Sequence, residues 1–331
     1  MNNSKIIVCG QEVEVGATVV LWTDSKGFNG YDTSTKYVEN RKTGKTEKIS
    51  GKRYSSRFLG KPTLKKLQGK VSQFFLHHSG LYHSRDTFNV LHNQRRLSVQ
   101  LILDDDGTIY QTLDLQEKAW HGGANNPVSV GIEIDSRAHA GRLPNAYDQY
   151  HQYHYKVDPR NIRMDKIHGQ WVKGYEYNDK QYSSLIKLAI ALKKTFPKMS
   201  IAGQMDFPRT RTGRIIKGKL SNPLQHQGLI CHFHNSTNKI DPISFDFDRL
   251  LNGVKKNNPY EFSTFNDFYT WFKKQTALKQ LGFNPGKIDG LFGPKTKKAI
   301  QEFQAHFGLK VDGVWGLKTD YMMDILIKEL K

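Results

Sequence analysis

Val71-Ser72-Gln73-Phe74-Phe75-Leu76-His77-His78-Ser79-Gly80 is the stretch on which the fold turns. Its apolar run, Val71 to Leu76, is short and rich in branched and aromatic residues, and it reads as a buried β-strand. The run stops abruptly, which delivers His77 to the C-terminal end of the strand, where open sheets expose functional groups. A histidine leaving a strand is more often structural than a ligand, so His77 requires partners elsewhere in the chain.

Downstream, Leu97 to Leu103 reads as a second strand, and Asp104-Asp105-Asp106-Gly107 as a turn into a third, Thr108-Ile109-Tyr110-Gln111. The aspartates lack the alternating spacing and closing glutamate of a calcium loop, so a hairpin turn is the better reading. Ala119-Trp120-His121-Gly122-Gly123 follows, then Asn126, Ser129 and the strand Val130-Gly131-Ile132-Glu133-Ile134. Glu133 alone interrupts the aliphatic run. A carboxylate on a buried strand is costly unless it is paired, hydrogen-bonded or protonated, so Glu133 has either a strong partner or a chemical task.

Tyr182 to Phe196 carries helical periodicity and stops at Pro197. Gly228-Leu229-Ile230-Cys231-His232 then repeats the opening pattern, a short strand closing on histidine, and Asp241 stands just before Pro242. Two histidines and one carboxylate, with a fourth position left for water, suit a catalytic zinc site rather than a closed structural one. His78 and His234 each neighbour a proposed ligand and compete with it. Cys231 is a softer donor, but alternation along a strand points it away from His232.

These pieces resemble the type-2 N-acetylmuramoyl-L-alanine amidase domain, a family that includes phage lysozyme-amidases and peptidoglycan recognition proteins. The resemblance runs from about residue 70 to 251. It rests on Phe75-Leu76-His77-His78-Ser79, Asp106 to Gln111, Trp120-His121-Gly122-Gly123, Asn126 to Glu133 and Ile230 to Pro242. It implies an α/β amidase domain, a mixed central β-sheet flanked by helices, with Zn2+ held by His77, His232 and Asp241. It also implies that Glu133 is the catalytic carboxylate and Lys239 a cation beside the last ligand. His78, Trp120, His121 and Asn126 fall along the expected substrate groove. The implied reaction is hydrolysis of the amide joining N-acetylmuramic acid to the L-alanine of the stem peptide. The family register favours His77 over His78 and His232 over His234. Two departures stand out: the interval from His232 to Asp241 is off the commonest family spacing, and Val99 and Gln100 stand where relatives often carry Tyr or His.

Near the end, Ile288-Asp289-Gly290-Leu291-Phe292-Gly293-Pro294-Lys295-Thr296 recurs as Val311-Asp312-Gly313-Val314-Trp315-Gly316-Leu317-Lys318-Thr319. Such self-similarity marks a duplicated supersecondary unit, with the Asp-Gly pairs as turns. Pro294 suits the first turn of a helix burying Ala299, Ile300, Phe303 and Phe307, and an earlier helix around Phe272 to Leu281 supplies Leu278 and Leu281. The expected product is a small all-α three-helix domain. With Gly282-Phe283, Phe303-Gln304 and Gly308-Leu309, the pattern is similar to the peptidoglycan-binding domain of many bacterial and phage wall hydrolases.

The expected organisation is therefore a β-rich N-terminal extension over residues 1–68, a zinc amidase domain over 69–252, a linker over 253–265 and a peptidoglycan-binding domain over 266–331. The extension is expected to pack over the groove or complete the sheet edge. Residues 136–180 and 203–226 exceed the family core and are rich in Tyr, His and Arg; they are either surface insertions or loops that stack on sugars and pair with stem-peptide carboxylates. A formal charge of +19 draws the chain towards polyanions without choosing among them. A specific nucleic-acid role would explain that charge but not the histidines, Glu133 or the repeat, so bacterial peptidoglycan is the expected partner. Cys9 and Cys231 make no disulfide framework. The start shows no secretory signal pattern and no apolar run long enough to span a bilayer. The expectation is a monomer made in the cytoplasm and acting on the wall, in the manner of a phage endolysin. The alternative is a non-catalytic peptidoglycan recognition protein, whose inactive members typically lack a zinc ligand that this chain retains.

Overall fold

The computed structural model describes residues 3–39, 43–200, 205–210, 212–256, 271–272, 274–315, 319, 322, 323 and 326. The chain divides into two compact units whose boundary falls between Asn258 and Pro259. The first begins with six short strands: β1 (Lys5–Val8), β2 (Gln11–Glu14), β3 (Val19–Leu21), β4 (Lys36–Glu39), β5 (Thr46–Ile49) and β6 (Ser55–Ser56). After α1 (Leu64–Gln68) come β7 (Gln73–His78), α2 (Ser84–Phe88), a π-helical turn Asn89–Gln94, β8 (Leu101–Leu103), β9 (Ile109–Gln111), β10 (Glu117–Lys118) and β11 (Ser129–Ile134). The remainder is α3 (Gln149–Tyr155), β12 (Ile162–Ile167), β13 (Gln170–Tyr175), α4 (Asp179–Thr195), β14 (Gly228–Cys231), α5 (His232–Asn235) and α6 (Phe247–Lys256).

The central sheet has the order β14-β7-β11-β8-β9-β3. All neighbours run parallel except β8 and β9, which form the antiparallel hairpin that the Asp104–Gly107 turn predicts. The aspartates of that turn serve local structure: Asp104 accepts from Ser84 N, Asp105 pairs with Arg160, and Asp106 accepts from Thr108 N. Alternation decides what each strand presents. Phe74 and Leu76 of β7, Val130, Ile132 and Ile134 of β11, and Leu229 and Cys231 of β14 all enter one core with Leu185, Leu188, Ala189 and Leu192 of α4. Each fully buried aliphatic or aromatic side chain there stabilises the fold by roughly 1.5–3 kcal/mol. Helix α4 starts three residues earlier than its periodicity suggests, because Asn178 and Gln181 form a reciprocal capping box. Gly253 lets α6 close on α4, since a Cβ there would lie 2.2 Å from Ile186 Cδ1. Residues 253–256, read as the start of a linker, are the last turn of α6.

Strand β3 completes the sheet edge, pairing parallel with β9. Ile6, Val8, Val15, Ala17 and Val19 join the core that backs the central sheet, so the extension shares that interior. Two arginines fasten it. The buried Arg53 donates to the carbonyls of Asp32, Ser34, Gly51 and His92, and Arg57 donates to those of Asn126, Pro127 and Ser129.

In the second unit the described residues are helical at 274–280 and over Pro294–His306, and again at 319, 322, 323 and 326. Leu278, Ala299, Ile300, Phe303 and Met323 form its core. The duplication has a polar counterpart that the sequence reading missed. Gln275 accepts from the amides of Asp289 and Gly290 and donates to Leu291 O, while Gln304 accepts from Asp312 and Gly313 and donates to Val314 O. Each glutamine clamps the Asp-Gly turn that follows it.

Candidate active site

Three adjacent strands carry the expected residues to one place. In the parallel pairing of β7 with β11, His77 lies opposite Glu133. Cys231 lies opposite Leu76, so His232, the first residue of α5, emerges beside His77. Because Leu76, Cys231 and Ile132 point into the α4 core, their neighbours His77, His232 and Glu133 are free to point the other way.

His77 Nδ1 is 3.1 Å from His232 Nδ1 and 3.2 Å from Asp241 Oδ2, and His232 Nδ1 is 3.0 Å from the same oxygen. A tetrahedral zinc with ligand bonds of about 2.0–2.1 Å sets its donors roughly 3.3–3.4 Å apart. The observed triangle fits that requirement closely. No other group of three His, Cys, Asp or Glu side chains converges in this way among the described residues. Burial drives His77 down to about 4, against the pull of Asp241, so its imidazole is neutral at neutral pH and offers a lone pair. Burial would push Asp241 up, but the adjacent His232 and His77 rings hold its carboxyl well below the usual range. His77 Nε2 is buried without a hydrogen-bond partner. Stacking on Phe75, with centroids 4.5 Å apart and planes at 11°, sets the ring's orientation instead.

The competing ligands point elsewhere. His234 is fully buried and spends both nitrogens on the backbone, Nδ1 accepting from Cys231 N and Nε2 donating to Ile216 O. Cys231 sits in the α4 core. His78 faces Tyr177 and Ile243 N at 3.5 and 3.4 Å and lines a cavity with Glu133.

That cavity, about 430 Å³, is bounded by His78, Ser79, Leu91, Gln94, Arg95 and Glu133. Glu133 Oε2 has no hydrogen-bond partner. Burial, then the charges of Asp241 and Asp135, push its carboxyl well above the usual range, opposed by Lys239 and Arg95. A divalent cation at the triad would draw it back down. Lys239 is exposed, and its charge also acts on His77 and His78. A larger cavity of about 690 Å³ lies between Ser25–Phe28 and His83–Asp86; neither cavity is lined by a triad residue, and only the smaller one is lined by Glu133.

The expected groove residues divide. Trp120 is 48% exposed and its Nε1 donates to Arg53 O. His121 and Asn126 are only 5% and 4% exposed. Asn126 Oδ1 accepts from the amides of His121 and Gly122, holding the glycine turn closed. His121 Nε2 donates to Gln100 Oε1 at 2.5 Å. Gln100 was read only as a missing auxiliary. It anchors His121 from the residue just before β8, and a polar residue beside a run of aliphatic ones is the signal the sequence offers.

A model of the N-acetylmuramoyl-L-alanine amidase family matches residues 67–242, more than half of the chain. The chain belongs to that family. A model of a putative peptidoglycan binding domain matches residues 273–323. Among curated relatives, a spore cortex-lytic enzyme of Bacillus cereus is 51% identical over 49 residues, 15% of this chain and 19% of that one. The N-acetylmuramoyl-L-alanine amidase CwlL of Bacillus licheniformis is 42% identical over 60 residues, 16% and 17% of the two chains. The chain thus spans less than a fifth of the length of these relatives. AmpDh3 from Pseudomonas aeruginosa, solved with an anhydromuramic pentapeptide, is 14% identical with a TM-score of 0.36, covering 86% of this chain and 94% of that one.

Proposed function

We propose that this chain hydrolyses the amide bond between N-acetylmuramic acid and the L-alanine of the stem peptide in bacterial peptidoglycan, with zinc held by His77, His232 and Asp241. The observation that carries the proposal is the triangle of three donor atoms 3.0–3.2 Å apart, with Glu133 in register beside His77. Zinc bound there supplies the Lewis acidity that polarises an amide carbonyl and acidifies water. Glu133, whose Oε2 has no hydrogen-bond partner and which a bound cation would keep ionised, takes the proton of the attacking water and returns it to the leaving amine. Lys239 favours the charge that develops on the carbonyl oxygen, a contribution on the order of 3 kcal/mol for a well-placed donor. Trp120 and His78 supply surface along the groove. The peptidoglycan-binding match at residues 273–323 supports retention at the wall, and pairing it with an amidase domain suits a lytic enzyme of the phage endolysin type.

Glu133→Gln tests the assignment. It keeps the side chain's size but replaces the carboxylate with an amide that cannot accept a proton, so zinc content stays at one per chain while stem-peptide release falls by about 10²–10⁴. A variant that retains wild-type turnover would remove Glu133 from the chemistry.

A further inference from the structure

The β12–β13 hairpin is not used by the site described above. Its register pairs Ile162 with Tyr175, Met164 with Lys173 and Lys166 with Trp171, so alternation puts these six side chains on one face. All but Tyr175 are exposed, Trp171 at 65%, Met164 at 51% and Ile162 at 45%. The opposite face is buried at Asp165, Ile167 and Gly174. Asp165 pairs with Lys217, Ile167 joins the main core, and Gly174 lies so close to Ile243 and Ser244 that a Cβ would fall 2.5 Å from each. The hairpin tip, His168-Gly169, turns through two positive φ angles, 52° and 79°. From that tip His168 Nε2 donates to the carbonyl of Lys239 at 2.8 Å. The exposed face therefore starts at the loop that carries Lys239 and Asp241, and Trp171, three residues from His168, lies roughly 10 Å along the strand from that contact.

An open, flat surface of Trp, Met and Ile is unusual for a face with no partner. Lys173 shares it, and Lys166 lies over the Trp171 ring at 5.8 Å. Aromatic and aliphatic side chains cover the apolar faces of sugar rings, and the two lysines complement the carboxylates of stem peptides. We propose that this face is a docking platform for polymeric peptidoglycan beside the scissile bond, which makes the enzyme select glycan strands bearing many stem peptides over soluble muropeptides. The proposal rests on the amidase reading above. It requires no movement of the hairpin, because the tip is already fixed to the catalytic loop.

The test compares full-length wild type with Trp171→Ala, measuring stem-peptide release from purified sacculi and from soluble N-acetylmuramoyl-peptide. The ratio of the two rates is expected to fall about tenfold, the scale of one aromatic anchor. Lys173→Glu serves the same test if Trp171→Ala does not fold. An unchanged ratio overturns the proposal. So does an unchanged ratio with lost binding to phosphatidylglycerol vesicles, which would make the face a lipid surface. Should wild type release stem peptide from neither substrate, the amidase reading fails instead. The face is then judged by sedimentation with sacculi, where Trp171→Ala must leave more protein in the supernatant than wild type does.

Discussion

Gly131→Ala exposes how tightly the His77, His232 and Asp241 cluster is backed. Gly131 sits on β11 facing His121, and an added Cβ would lie 2.2 Å from both Cε1 and Nδ1 of that ring and 2.6 Å from Nε2. In an unhindered strand this change would stabilise by about 0.4–1 kcal/mol, through the lost freedom of the unfolded chain. Here the ring cannot retreat. It is buried, stacked near Phe75 and tied to Gln100, and its centroid is 5.6 Å from that of His77. Overpacking costs about 1–3 kcal/mol, and breaking the His121–Gln100 hydrogen bond in a dry site adds about 1–3 kcal/mol. The clash wins. We expect a net destabilisation of about 2–5 kcal/mol, read by urea unfolding of the full chain, with zinc affinity weakened as the displaced ring presses on His77. In a His121→Ala background, where the ring is gone, the cost of Gly131→Ala should nearly vanish. A Gly131→Ala protein as stable as wild type, or one equally destabilised in both backgrounds, would refute the packing argument.

His232→Ala should abolish zinc binding, whereas His234→Ala should retain it while lowering the unfolding midpoint; metal content by atomic emission separates the two. The Asp104 carboxylate, through its hydrogen bond, holds the His83 imidazole up at about 9 against an ordinary value of 6.5. Its contribution to stability is therefore complete below pH 6.5 and is lost as pH rises towards 9. Asp104→Asn should flatten that part of the stability profile in urea titrations run from pH 6 to 10. Gln275→Ala and Gln304→Ala should each cost about 2–4 kcal/mol, because each strands buried turn amides that the glutamine oxygen accepts from. Faster amide exchange at Gly290 in the first variant and Gly313 in the second is the expected readout.

The strands that carry the candidate site are legible because burial on both faces writes a continuous apolar run, and the break in each run falls on a residue proposed for the site. His77 and Glu133 are read directly in this way. His232 reads as the end of a strand, yet it opens a short helix; the family register favours it over His234, and it is His232 that converges with His77 and Asp241. Polar supports left weaker marks. Gln100, Gln275 and Gln304 act through backbone partners far along the chain or in tight turns, and a single glutamine has no periodicity to betray it. The burial of His121 and Asn126 is hidden for a related reason: a motif next to a glycine turn looks exposed, but the absence of a side chain at Gly131 leaves room for the His121 ring. The extension's place at the sheet edge depends on the pairing of β3 with β9, a long-range contact that local pattern leaves open.

The most direct test of the central claim is mass analysis of the products released from purified peptidoglycan, with and without a chelator. The account predicts free stem peptides beginning with L-alanine and uncut glycan strands, with release abolished by chelation and restored by zinc. Cleaved glycans, cleaved cross-links, or stem-peptide release that survives chelation would contradict it.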